Sequence, residues 1–320
     1  MPFLEHQHEN QFGYKKATSC KSAHLVVNET INYYKVGRSN CHVVSLDAAK
    51  AFDKLWRDGL FFKLMDKTDS SIWRLLHKYY SESFVIVAVD GSKSESFKIS
   101  EGVKQGGILS SFLFNFFMDG LLESLLSLEV GALLGGSNTS ALAYCDDVVL
   151  LSSNEGHMQR LLDCCESYAV KWKLQFNSSK SSCYSLWATD FDFVLAGGSI
   201  PKKDGFIYLG LPVGCNAFVE SFYCDKMTSC EKALYSLKNI GCNPLMLHPH
   251  AIGFIYKQFC QSILKFGFEF VHLKKSFLSK LDVRQNILLK NILGIRHRAR
   301  FKVILNELKV EQVSLLYEKH

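Results

Sequence analysis

The sequence predicts an α+β fold: an antiparallel sheet carrying helices, followed by a helical region. Three observations lead there. β-Prone runs come in pairs around turn signals, as in Phe84–Val89 with Ser96–Ile99 and in Ala141–Ser152 around Asp146-Asp147. Such pairs read as hairpins, not as parallel strands joined by crossovers. Stretches with helical spacing separate them, and from about Ala217 only helical periodicity remains. At 320 residues, 48% hydrophobic, the chain can bury a large core.

Ser22–Tyr34 places Ala23, Val26, Val27, Thr30 and Ile31 at helical spacing. Cys41–Leu46 is a compact apolar run ending at Asp47, read as a strand whose final acid either enters a cleft or caps the next helix. Asp58–Met65 and Ser71–Tyr80 read as helices, the second with Ser70 or Ser71 as its N-cap. Phe84–Val89, the Asp90-Gly91 turn and Ser96–Ile99 form a hairpin. In Glu101–Leu122, Gly102, Gly106 and Gly107 allow close approach to a ligand, and Ser110 or Ser111 is the expected cap of the apolar helix beyond. Asn154 caps a helix running to Trp172, with Leu161, Leu162, Cys165, Tyr168 and Ala169 inward. Asn177–Lys180 is a polar turn, Cys183–Trp187 a strand, and Gly205–Gly214 a further hairpin. Helices are expected over Val219–Ile240, Leu247–Phe268, Phe277–Leu293 and Phe301–Tyr317, with breaks at Gly241, Pro244 and Gly294. Lys274, Lys275, Lys280, Arg284, Arg296, Arg298 and Arg300 make this region basic. They form either a solvated face or a phosphate contact.

The net charge of +6 favours nucleic acid weakly. Eleven scattered cysteines include no CxxC pair and no zinc-spaced Cys/His cluster, and read as reduced thiols of an intracellular chain, nuclear or cytoplasmic. No apolar run reaches the length of a membrane span, and the polar N-terminus has no signal-peptide core. The chemistry centres on Ala141–Ser152. Adjacent carboxylates amid apolar sequence repel each other, and burying them costs several kcal/mol unless a cation shares the site. A hard divalent ion such as Mg²⁺ meets that need; a solvated acidic turn is the plain alternative.

These segments together resemble the reverse transcriptase domain of non-LTR (LINE-type) retrotransposons. VVSLDAAKAFDKLW is similar to the first palm motif, EGVKQGGILSSFLFNFFMD to the second, and YCDD at Tyr144–Asp147 to the third. WKLQFNSSKS around Lys180 resembles the fourth, YLG at Tyr208–Gly210 the primer grip, and NQFGYKKATS at Asn10–Ser19 the finger segment preceding the first motif. The resemblance covers most of the chain and is strongest over Val43–Gly214. It implies a right-hand polymerase palm over 41–215, partial fingers over 1–40, and a helical thumb or connection region over 216–320.

It also implies an RNA-directed DNA polymerase acting on an RNA template, a DNA primer and deoxynucleoside triphosphates. Its cofactor would be two Mg²⁺ ions, with Mn²⁺ as an alternative. They would assist an in-line phosphoryl transfer to the primer 3′-hydroxyl. Asp47 and Asp146 would bridge both ions, Asp147 would support them, and the Ala48 carbonyl would be a further ligand. Phe52 would pack under C2′ of the sugar and exclude a 2′-hydroxyl; core packing is its alternative. Gln105 would bond the nucleotide with Gly106 allowing the approach, while Tyr144 and Cys145 would lie against the new base pair. Lys180 would protonate pyrophosphate, or is an exposed turn lysine. Tyr208, Leu209 and Gly210 would position the primer end.

Departures from the family pattern accompany the resemblance. Ser111 stands where proline is usual, and the chain opens at the last finger segment. Neither an endonuclease domain nor a Cys/His knuckle is expected in it. Lys15 and Lys16 are not assigned the upstream triphosphate clamp, so weakened activity is expected. The competing expectation is an inactive retroelement fragment that at most binds nucleic acid. An unrelated metal-dependent phosphotransferase would leave the glycine-rich segment, Lys180 and YLG without purpose.

Overall fold

A computed structural model describes residues 7–104, 106–296 and 298–319. The chain divides into two compact units at the Gly210–Leu211 bond.

In the first unit, helix α1 (Cys20–Val36) precedes strand β1 (His42–Leu46). Helices α2 (Arg57–Leu64) and α3 (Ser70–Ser81) lead to an exposed hairpin arm, in which 84–85 pair with 97–98 and 88–89 with 92–93 around Asp90-Gly91. Helix α4 (Ser110–Leu126), strands β2 (Ala141–Tyr144) and β3 (Asp147–Ser152), helix α5 (Glu155–Trp172), and strands β4 (Ser182–Ser185) and β5 (Gly205–Tyr208) come next in the chain. The four-stranded sheet runs β4-β1-β3-β2, antiparallel throughout. Val43, Val44, Leu46 and Val148 to Leu151 are buried on both faces of its centre, which explains why these strands read as continuous apolar runs. Helix α4 packs on β2, α5 on β3, and the two helices on each other. The sheet thus has a helical backing, the layered arrangement of an α+β fold.

Helix α5 starts at Asn154, whose side chain accepts from the His157 amide, and its five expected inward residues are buried. Two expected caps are displaced. Asp69, not Ser70 or Ser71, caps α3, accepting from the Ser71 amide at 2.8 Å. Ser110 and Ser111 lie inside α4, whose N-cap is Leu109; Ser110 Oγ donates instead to the Lys104 carbonyl. The room for that hydroxyl comes from Gly107, where a Cβ would stand 2.7 Å from it. Gly102 approaches its own chain, not a ligand. It has φ +74°, and a Cβ there would lie 2.4 Å from the Asp53 carbonyl oxygen. The buried Arg57 guanidinium fixes this loop by donating to the carbonyls of Gly102, Tyr80 and Ile99 at 2.6–2.7 Å.

The second unit opens with strand β6 (Leu211–Gly214) and helix α6 (Asn216–Asn239), which buries Tyr223, Met227, Cys230 and Leu234 along one face. A helical stretch runs from Pro249 to Lys265, with a π-helical turn at Tyr256–Gln261. Helix α7 (Lys275–Leu293) ends at Gly294, φ +68°. The single helix expected over Phe301–Tyr317 is two, Lys302–Glu307 and Val313–Glu318, because Lys309 turns left-handed at φ +53°. Arg284 is not part of a solvated basic face. Its guanidinium bonds Glu231, Thr228 and the Cys224 carbonyl, tying α7 to α6. Lys274, Lys275, Lys280, Arg296, Arg298 and Arg300 are exposed. The cysteines are free thiols, and among the described residues no helix is long and apolar enough to cross a membrane.

Candidate catalytic centre

Pairing of Tyr144 with Asp147 leaves Cys145-Asp146 as a two-residue turn between β2 and β3. Cys145 occupies the left-handed region at φ +58°, as such turns require. Leu46 pairs with Val148, so Asp47, the residue after β1, emerges at the same end of the sheet as the turn. Two distant segments thereby bring three aspartates together. Burial raises the Asp146 carboxyl, and Asp47 raises it further. The Asp147 carboxyl rises to about 6, through burial first, then Asp146 and Asp47. Asp147 keeps exposed surface, but the crowded carboxyl itself governs its titration. A cluster of mutually repelling hard oxygens is chemically suited to a divalent cation. Among the described residues, however, no group of three or more His, Cys, Asp and Glu side chains is placed to hold a metal ion. The acids share one end of the sheet without closing into a ligand shell.

The segment after α5 lies beside Asp47. The Asp47 amide donates to Ser181 Oγ at 3.1 Å, the Asn177 amide to the Asp47 carbonyl at 2.9 Å, and Ala48 forms a bridge with Phe176. Lys180 is exposed on the turn next to Ser181. On the other side, half-buried Phe52 stacks on Phe114, ring centroids 4.4 Å apart and planes 14° apart. With Tyr14, Gly106 and Gly107 it lines a cavity of about 530 Å³. Gly106 has φ +78°, and open space surrounds the position a Cβ would take. Gln105 lies outside the described residues. Tyr144 is half-buried beside the turn, and the buried Cys145 thiol is pushed up to about 12 by burial and then by Asp146 and Asp147.

The ring of Tyr208 is buried, and burial, Asp147 and Tyr144 all raise its hydroxyl. That hydroxyl has no hydrogen-bond partner among the described residues. Leu209 and Gly210 form a left-handed turn, φ +51° and +78°. A larger cavity, about 770 Å³, is lined by Lys63, Asp119, Tyr168 and Trp172 and holds none of the expected site residues.

Sequence reasoning misses Tyr14, Ser181 and Gln11. Gln11 Oε1 accepts from the Cys145 amide at 3.0 Å across 134 residues, a contact that no local pattern encodes.

Residues 1–213 match the family described as reverse transcriptase (RNA-dependent DNA polymerase). The chain is 30% identical to the Pol polyprotein of type-2 retrotransposable element R2DM of Drosophila melanogaster over 177 residues, 55% of this chain and 16% of that protein. It is 23% identical to the RNA-directed DNA polymerase from mobile element jockey of the same species over 325 residues, 95% of this chain and 34% of that protein. Among solved structures, apo telomerase from Candida tropicalis truncated from its C-terminal domain aligns with a TM-score of 0.49 at 14% identity. That alignment covers 68% of this chain and 42% of the telomerase.

Proposed function

The chain belongs to the reverse transcriptase (RNA-dependent DNA polymerase) family, and on that premise we propose that it carries the polymerase palm of a non-LTR retrotransposon enzyme. Its reaction adds deoxynucleotides from their triphosphates to a DNA primer 3′-hydroxyl, copying an RNA template. The single observation carrying this reading is the meeting of Asp47 with the Asp146-Asp147 turn at one end of the sheet. Reverse transcriptases use divalent metal, and the finer assignment here is a pair of Mg²⁺ ions, replaceable by Mn²⁺. Asp47, Asp146 and the Ala48 carbonyl would hold them, with Asp147 in support. Bound there, metal would supply a stronger attacking oxygen and charge neutralisation on pyrophosphate.

Phe52 closes the space a ribose 2′-hydroxyl would need, in the cavity it shares with Gly106. Gln105 bonds the nucleotide, and Tyr144 and Cys145 border the nascent base pair. Lys180 protonates the leaving pyrophosphate, and Tyr208, Leu209 and Gly210 seat the primer terminus. Residues 1–40 act as partial fingers, 41–215 as palm and 216–320 as a helical thumb or connection region. The second reading is an inactive retroelement fragment that at most binds nucleic acid.

Primer extension on an RNA template with Mg²⁺ decides between them. Asp146→Ala is expected to lose at least the ~100-fold that outer partners of a metal are worth. Equal incorporation by variant and wild type would overturn the mechanism, and no extension by wild type would favour the inactive reading.

A further inference from the structure

We propose that Gln11 is a positioning residue that fixes the conformation of the Cys145-Asp146 turn and so aims the acid pair. The proposal rests on the polymerase reading for its consequence and on geometry for its substance. Gln11 is fully buried, and its Oε1 accepts two amides, those of Cys145 and Gly13, each at 3.0 Å. The Cys145 amide belongs to a residue held at φ +58°, a conformation that L side chains rarely adopt. A buried turn amide without a partner is strongly disfavoured, so the Gln11 oxygen supplies what the hairpin cannot supply itself.

The segment around Gln11 is built as a brace. Gln11 forms a parallel bridge with Ala143 at the outer edge of β2; the Phe12 amide donates to the Ala143 carbonyl at 2.8 Å and the Ala143 amide to the Asn10 carbonyl at 2.9 Å. Asn10 Nδ2 donates to the carbonyls of Asn138 and Ala141, and Asn115 Nδ2, from α4, donates to the Gly13 carbonyl at 2.6 Å. Gly13 sits so close to the turn that a Cβ there would lie 2.8 Å from the Cys145 nitrogen. The remaining amide atoms, Gln11 Nε2 and Asn115 Oδ1, are a buried donor and a buried acceptor without partners among the described residues. The acid turn is therefore backed by a side-chain acceptor that depends in turn on α4. Gln11 is fully buried and does not line the cavity beside Phe52, so its effect passes through the turn.

Gln11→Met keeps the volume and removes the acceptor; Gln11→Glu keeps an acceptor oxygen in either protonation state. Hydrogen exchange at residues 143–147 is expected to accelerate at least ~10-fold in Gln11→Met while α5 is unchanged. In primer extension, kcat falls about 10- to 100-fold and KM for the deoxynucleotide stays within about 2-fold, because aim is lost and the binding cavity is not. Gln11→Glu restores both exchange and kcat to within about 3-fold of wild type. Unchanged exchange at 143–147, acceleration shared equally by α5, or no restoration by Gln11→Glu would each overturn the proposal. If wild type itself does not extend a primer, the polymerase reading fails separately, and the exchange comparison alone decides whether Gln11 holds the turn.

Discussion

At the scale of single residues, the stacking of Phe52 on Phe114 has two readings that one substitution separates. The ring borders the 530 Å³ cavity with Gly106 and is also packed against the core. Phe52→Ala is expected to relax rejection of ribonucleotides in primer extension by at least about 10-fold, since one lost steric contact is worth ~1–3 kcal/mol of discrimination. Unchanged discrimination would return Phe52 to packing alone. The aspartates become legible only in the company of the other motifs: alone, Asp146-Asp147 reads as a solvated acidic turn and Asp47 equally well as a helix cap. Gly102 misleads because a glycine's need for space is visible in sequence while the atom that fills the space is not; here it is the Asp53 carbonyl.

At the scale of elements, helices α4 and α5 carry more than apolar surface. Asp119 on α4 is buried, one of its carboxyl oxygens has no partner among the described residues, and its pKa rises to about 6, chiefly through burial. Lys63, from α2, donates to the Phe117 carbonyl and to Tyr168 and lies over the Trp172 ring, with burial lowering its pKa to about 8. The sign of the Asp119 effect is fixed by linkage. Its folded pKa exceeds the unfolded 3.8, so the folded state binds more protons between about pH 4 and 6, and stability falls as pH rises through that window. The full cost above pH 6 is roughly 3 kcal/mol. Asp119→Asn should remove this share of the pH dependence, leaving that of Asp146 and Asp147, and raise stability at pH 7 by about 1–3 kcal/mol, read from denaturant unfolding at pH 4.5 and pH 7. Periodicity locates both helices, and Asn154 marks the start of α5, because caps and stripes are local features. Nothing local announces that an acid on one helix is buried with one of its carboxyl oxygens unpartnered among the described residues.

At the scale of the molecule, the two compact units differ in composition. The first holds the aspartates of the turn; the exposed basic residues of the second include Lys274, Lys275, Lys280, Arg296, Arg298 and Arg300. Exposed cations that meet phosphates release counterions, each contributing about 0.9 to the slope of log affinity against log salt. Replacing Lys274, Lys275 and Lys280 with Gln is expected to lower that slope for a primer–template duplex by up to about 2–3, measured by fluorescence anisotropy across salt concentrations. No change in slope would assign these lysines to a solvated face. Arg284, held by Glu231 and Thr228, belongs to the folding of its unit and not to this set. The basic region is legible as a run of residues, but its division into free and bound members depends on which face of α7 meets α6.

Gly13 gives the fold a silent point of failure. A retroelement copy that acquired a single methyl group there would retain every aspartate and every recognisable motif. Its acid hairpin would nonetheless be shoved aside at the Cys145 backbone. Counting surviving acids across degenerate copies would then overstate how many can still copy themselves.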